Sequence, residues 1–326
     1  MVRARHPSHH IRPVMPNATP SAASPASNPR ATAVGASAIL MWATLAPLTA
    51  LTGRVPPFQL VATSFLLAFL IGSAWTGLHG GNPLRHFRQP LAAWVLGVGG
   101  LFGFHFLYFL ALRGAPPVEA NLVNYLWPLL IVVFSALLPG ERLRWWHAAG
   151  AAAGLAGTML LVLRGGPDAG AQGIGPAIAA AHLPGYAAAL GSAVIWAAYS
   201  VLRRRLGRSG TTPTDALAAF CLVTAILSLL CHLALEETVW PADAAGWAAL
   251  LGLGLGPVGA AFFVWDYGVR HGDIRALGAL SYLAPLLSTL LLVAFGLAPN
   301  HEAVWAACAL IAGGSLLASR DLLARR

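Results

Sequence analysis

The sequence predicts an all-α integral membrane protein: ten transmembrane helices arranged as two inverted five-helix repeats. Three observations carry this. Of 326 residues, 57% are hydrophobic and only 10% are charged, whereas a soluble domain carries about 25% charged residues. Apolar runs at 60–75, 91–112 and 276–297 approach or exceed the roughly 18–20 residues that cross a bilayer. The arginines collect in alternate connections between those runs.

Residues 1–32 are rich in Pro, Ser and Ala and include four arginines. That composition cannot bury a core, so a disordered cytoplasmic tail is expected. His6, His9 and His10 read as solvated residues of that tail rather than metal ligands. The spans then run 33–51, 58–75, 91–112, 118–138 and 146–163 in a first repeat (33–165). They continue at 185–201, 214–235, 246–269, 276–297 and 303–318 in a second (184–320), the whole forming one transport domain. Helices are required because lipid leaves exposed backbone groups unsatisfied, and the period-two alternation of a barrel is absent. Trp247 and Trp305, at span starts, suit the membrane interface.

All 20 basic residues are arginine. With the N-terminus in the cytoplasm, only Arg54, Arg113 and Arg164 fall outside and the other 17 inside, a strong positive-inside bias. The formal charge of +9 therefore reflects topology and not nucleic-acid binding. Cys221, Cys231 and Cys308 lie in apolar segments with no metal-ligand spacing, and read as small packing residues.

The halves repeat. Tyr125-Leu126-Trp127-Pro128 aligns with Tyr282-Leu283-Ala284-Pro285, and the same offset pairs Gly97 with Gly254, Gly99 with Gly256, Arg113 with Arg270 and Gly157 with Gly314. At a slightly shorter offset, Trp42 matches Trp196. An odd number of spans per copy inverts the second copy. Inverted repeats typify secondary transporters, whose substrate site lies near the bilayer midplane between the halves.

Helix-spaced polar residues mark that site. Asn121, Asn124, Tyr125 and Pro128 share one face of the fourth span, and Gly278, Ser281, Tyr282 and Pro285 share the equivalent face of the ninth. Embedded polar stripes face the interior of a bundle. Pro128 and Pro285 cannot donate to the carbonyls of Asn124 and Ser281, so each is expected to free a carbonyl and act as a hinge or gate. Trp42, Trp196, Tyr108, Tyr199 and Trp265 supply aromatic faces. His105 stands three residues before Tyr108. The spacing of Asp266 and Arg270 suits an ion pair within one helix. Gly254-Leu255-Gly256-Pro257-Val258-Gly259 matches a dinucleotide fingerprint by letter alone, with no strand before it. Gly150 and Gly154 form a small-xxx-small pair suited to packing or to a dimer face.

These motifs resemble the drug/metabolite transporter superfamily, EamA type, and within it the YddG-type aromatic amino-acid exporters. The resemblance rests on Glu119 with Val123-Asn124-Tyr125-Leu126-Trp127-Pro128, on Ile195-Trp196-Ala197-Ala198-Tyr199, and on His271-Gly272 with Ser281-Tyr282 and Pro285. It covers about 33–320. The long tail departs from the pattern, and so does Asp266, where an amide would be expected. The resemblance implies export from a bacterial inner membrane.

The residues narrow the cargo. A carrier of sugar phosphates should present basic groups to its anion, but no Arg falls near the middle of a span. The first span lacks the acid expected of a small cation exporter. Aromatic faces, amides and bare carbonyls suit a neutral amino acid with an apolar or aromatic side chain. No catalytic set stands out, so an enzyme is not expected, nor a cofactor, metal or nucleic-acid partner; the expected partners are the lipid bilayer and small neutral solutes, in a monomer or weak homodimer. Coupling is expected to be facilitated, with proton antiport through Glu119 or His105 as the alternative. Both termini should be cytoplasmic: a C-terminal reporter active only in the cytoplasm should give full signal, and one active only outside should stay silent.

Overall fold

A computed structural model describes residues 28–115, 117–138, 143–164, 182–208, 214–294, 302–318 and 320. Its helices are α1 (Pro29–Ala43), α2 (Leu45–Leu51), α3 (Pro57–Leu78), α4 (Leu91–Gly114), α5 (Pro117–Asn124), α6 (Trp127–Ser135) and α7 (Trp145–Arg164). They continue with α8 (Leu183–Arg208), α9 (Leu217–Leu235), α10 (Ala244–Leu255), α11 (Ala261–His271), α12 (Ile274–Leu280), α13 (Leu283–Ala294) and α14 (Glu302–Ala318). No strand occurs among the described residues. The protein is an all-helical, multi-pass membrane protein. Among the described residues, six helical stretches are long and apolar enough to cross a bilayer: Pro29–Leu51, Pro57–Leu78, Leu91–Gly114, Leu183–Leu206, Leu217–Leu235 and Ala244–His271. Large apolar side chains such as Leu70, Leu230, Leu233 and Leu255 stand half or more exposed on the outside, as lipid requires.

Helix ends and interruptions follow local chemistry. α1 begins at Pro29, earlier than the tail boundary read from composition. Asn28 caps it, its side chain accepting from Arg30 N–H at 2.9 Å, and proline suits the first turn. α8 runs on through Arg203–Arg205 to Arg208, past the span end expected at 201, because cations are favoured at a helix C-terminus and two of these arginines find partners inside the bundle. Four interruptions each lie at or just before a proline, which cannot donate to the carbonyl four residues back. They are Thr44 before Pro47, Tyr125–Leu126 before Pro128, Ser281–Tyr282 before Pro285, and a π turn, Gly256–Ala260, around Pro257. The glycine-rich string that resembles a dinucleotide fingerprint is the site of this π turn, inside a helix.

Packing is dominated by four helix pairs: α1 with α11, α4 with α8, α3 with α9, and α7 with α14. Glycines permit the closest approaches. A Cβ placed on Gly35 would sit 2.8 Å from the Gly268 Cα, and one on Gly114 would sit 3.0 Å from the Gly185 Cα. Gly150 faces Ala318 and the Gly314 carbonyl, and Gly154 faces the Tyr282 ring. The small-xxx-small face is thus spent on packing α7 against α14 and against Tyr282 between α12 and α13, inside the chain, not left open to a second copy.

Polar groups fasten the ends of these helices. Glu236 accepts from the Phe58 and Gln59 amides at the start of α3, at 3.1 and 3.2 Å, and meets His232 Nδ1 at 3.0 Å and Arg113 at 3.5 Å. At the start of α12, Asp273 accepts from the Arg275 and Ala276 amides and pairs with the Arg275 guanidinium at 3.1 Å. The Asp273 amide donates to Thr32 Oγ1 at 2.8 Å, and the Asn28 amide to the His271 carbonyl at 3.1 Å, tying α1 to the α11–α12 connection.

Burial raises the Asp273 carboxyl pKa, but the Arg275 guanidinium and the two amides outweigh burial and hold it below the ordinary carboxylate value. A carboxyl lowered in the folded state contributes stability that is complete above its unfolded pKa, about 4, and is lost as pH falls through the folded value. Asp273→Asn should therefore cost about 1 kcal/mol at pH 7, read as a lower thermal-unfolding midpoint in detergent. The two proteins should converge as pH is taken below about 4.

Candidate functional site

Four tryptophans from four helices meet at the centre of the bundle: Trp42 of α1, Trp127 of α6, Trp196 of α8 and Trp265 of α11. Every pair has ring centroids within 6.3 Å. Trp42 lies 5.1 Å from Trp265, 6.0 Å from Trp127 and 6.0 Å from Trp196. Trp127 stands edge-on to Trp196 and Trp265, and Trp196 lies nearly parallel to Trp265 at 22°. Edge-to-face and offset contacts at these distances favour such rings beyond area burial alone. Phe262, Phe104 and Tyr199 extend the cluster around Trp196 at 5.5, 5.5 and 5.3 Å. Trp265 is fully buried, Trp196 and Trp127 nearly so, and Trp42 partly.

The indole N–H groups are held. Trp42 Nε1 donates to the Pro257 carbonyl at 3.0 Å, crossing to the π turn. Trp265 Nε1 donates to Ser200 Oγ at 3.2 Å. An amide-and-hydroxyl group borders the rings. Asn124, at the end of α5, has Oδ1 2.8 Å from Ser192 Oγ of α8. Ser192 Oγ is also 2.7 Å from the Ala189 carbonyl, and its single proton serves one acceptor at a time. Tyr108 donates its hydroxyl proton to Asn121 Oδ1 and stacks on Phe104. His105 turns Nδ1 back to the Leu101 carbonyl at 2.7 Å and meets the Phe65 ring edge-on at 5.3 Å. Tyr125 is partly buried in the interruption between α5 and α6.

The expected residues thus fall into three groups. Trp42, Trp196, Tyr199 and Trp265 converge as one aromatic cluster; His105, Tyr108, Asn121, Asn124 and Tyr125 belong to its polar border. Ser281 and Tyr282 do not join them. Ser281 Oγ donates to the Leu277 carbonyl of its own helix at 2.7 Å, and Tyr282 packs with Val132, Ala151, Leu286 and Ile311 against α7 and α14. The carbonyl of Ser281, expected to be freed by Pro285, accepts from the Ala284 amide at 3.1 Å, a tighter turn replacing the lost bond. Pro128 and Pro285 are both buried at their interruptions. The side chain of Glu119 lies outside the described residues.

Sequence reading missed two sets of residues. Trp127 is one; it stands inside the quoted Tyr-Leu-Trp-Pro string, and its bulk beside a helix interruption was the available signal. Charge is the other. Asp266 was expected to pair with Arg270, four residues on. Arg270 lies 3.7 Å away, but the tighter partner is Arg203 of α8, which donates Nε to Oδ1 at 2.6 Å and Nη2 to Oδ2 at 2.9 Å. Arg203 and Asp266 are 1% and 0% exposed. Arg204, also buried, donates Nη1 to the Val269 carbonyl at 3.0 Å and to that of Gly272. These arginines were placed in a cytoplasmic connection between spans; α8 carries them into the protein.

The profile of the EamA-like transporter family matches residues 31–163 and 183–320. The chain belongs to that family. It is a transporter, not an enzyme. It is 54% identical to an aromatic amino acid exporter, YddG, of Ancylobacter novellus, over 91% of this chain and 98% of the relative. It is 26% identical to a protein of the same name from Salmonella typhimurium, over 88% of this chain and 96% of that one. A solved crystal structure 52% identical in sequence superposes with a TM-score of 0.82, covering 91% of this chain and 99% of the other.

Proposed function

We propose that this protein exports neutral amino acids with aromatic or apolar side chains across a bacterial inner membrane, by facilitated alternating access. The observation that carries the reading is the four-tryptophan centre with its Asn124–Ser192 and Tyr108–Asn121 border. Stacked rings match an apolar or aromatic side chain, and amides and hydroxyls match polar ends without demanding net charge. The relatives from Ancylobacter and Salmonella, named as aromatic amino acid exporters, agree with this reading.

The transport cycle follows from two inverted five-helix repeats, 33–165 and 184–320. Exchanging each span with the span five later turns the α1–α11 pair into α8–α4. The same operation turns α3–α10 into α9–α4 and α6–α8 into α13–α1, and maps α3–α9 and α7–α14 onto themselves. All of these pairs pack in the structure. Such symmetry supports two related packings of one chain, open to opposite sides around a central site. The interruptions before Pro128 and Pro285 are where α5–α6 and α12–α13 bend as the halves rock. The arginine distribution orients both termini, and the Arg203 end of α8, to the cytoplasm.

His105 keeps its Nδ1 proton on a carbonyl of its own helix, which suits a wall residue better than a proton carrier. With equal phenylalanine on both sides of proteoliposomes, an imposed pH gradient should therefore drive no net accumulation. Accumulation that disappears in His105→Ala or Glu119→Gln would replace the facilitator by a proton antiporter. Labelled phenylalanine should exchange in counterflow, with Asn124→Ala and Trp196→Ala slowing exchange about 10-fold or more while eluting as folded protein. Unaltered exchange in both variants would remove the centre from the transport path.

A further inference from the structure

The buried charges of α8 and α11 adjoin the aromatic centre, and the transport reading gives them no task. On α8, Trp196, Tyr199 and Arg203 follow at i, i+3 and i+7, one continuous face. On α11, Phe262, Trp265 and Asp266 supply the opposite wall. The seven residues from Trp196 to Arg203 rise about 10 Å, and across the bundle the Trp196 ring meets Trp265, the residue before Asp266. The Arg203 guanidinium makes two hydrogen bonds to one carboxylate, at 2.6 and 2.9 Å, the fork geometry by which arginine recognises carboxylates in general. A second guanidinium, Arg270, stands 3.7 Å from the same carboxylate, and its buried Nε has no hydrogen-bond partner.

A pair so enclosed is a poor device for stability alone, since desolvating two charges offsets most of their attraction. It is a good device for selection. An amino-acid zwitterion carries the same two charges as the Asp–Arg pair and can take over both partners without leaving an unpaired buried ion. We propose that Arg203 reads the α-carboxylate of substrate arriving from the cytoplasm, and that Asp266 holds this position in the closed state as a built-in substitute. Substrate carboxylate displaces Asp266 from Arg203; Asp266, released, faces the substrate ammonium. Opening between α8 and α11 is thereby conditional on a ligand bearing both charges. This rests on the amino-acid transport reading and assigns it a recognition residue.

The test measures competition against labelled phenylalanine in counterflow, using phenylalanine and phenethylamine, which lacks the carboxylate. In the wild type phenylalanine should compete about 10- to 100-fold better than the amine. Arg203→Gln should raise the phenylalanine KM by a similar factor and bring the two competitors close together. 3-Phenylpropionate, which lacks the ammonium, should compete about 10-fold or more worse than phenylalanine in the wild type, and Asp266→Asn, which removes the ammonium's partner along with the internal competitor, should lower the thermal midpoint and bring these two competitors close together. Preserved discrimination in Arg203→Gln overturns the proposal. If Arg203→Gln does not assemble, Asp266→Asn decides: phenylalanine still competing as far ahead of 3-phenylpropionate as in the wild type refutes it. A wild type that transports no amino acid would instead overturn the transport reading itself, and this inference with it.

Discussion

Lipid offers no hydrogen bonds, and the architecture of this protein follows from that fact. Every backbone group in the apolar region needs an internal partner, so the chain is helical and its interruptions are confined to places where the protein supplies one. The Thr44 amide and hydroxyl both return to the Met41 carbonyl. The Pro257 carbonyl takes the Trp42 indole. The Ser281 carbonyl takes the Ala284 amide. Three of the four interruptions border the tryptophan centre: Thr44 follows Trp42 by two residues, Trp127 begins α6, and the π turn contacts the Trp42 ring nitrogen. The same prolines that weaken the helices therefore border the tryptophan centre.

Buried charge obeys the same rule at both ends of the bundle. Glu236 satisfies two amides at the start of α3 while pairing with His232 and Arg113. At the opposite end, Arg203 is matched to Asp266, and Arg204 to carbonyls at the end of α11. Removing one member of such a set leaves a stranded ion and costs far more than the set contributes. A conformational change must therefore exchange partners rather than lose them. That condition favours a ligand whose own charges can complete the exchange, and a zwitterion is such a ligand.

Much of this was legible in the sequence. Composition and apolar run lengths gave the membrane class, because the bilayer imposes both. Trp42, Trp196, Trp265, Asn124 and the prolines were identifiable because aromatic, amide and proline residues deep in an apolar helix need a reason. Directions were not legible. The face shared by Ser281, Tyr282 and Pro285 follows from helical period, but period does not say which neighbour covers a face, and Tyr282 turned to the Gly154 side of α7. Internal likeness to Tyr125 misled here, since a shared string of residues does not fix which neighbour a side chain meets. Arg203 and Arg204 were missed because a run of arginines after an apolar stretch looks like a solvated loop. Only the helix continuing through them, with Asp266 and the α11 carbonyls opposite, makes them interior residues.

The claim on which the account depends is that the two ends of the bundle open in turn. Spin labels at Arg205 of α8 and His271 of α11 report one end, and labels at Leu183 of α8 and Leu110 of α4 report the other; all four side chains are exposed. Cys221, Cys231 and Cys308 would be replaced by alanine first. Distance distributions measured with and without saturating phenylalanine should shift in opposite directions at the two ends, one gaining a longer population as the other loses it. Distributions that stay fixed at both ends, or that lengthen together, would contradict alternating access in this protein.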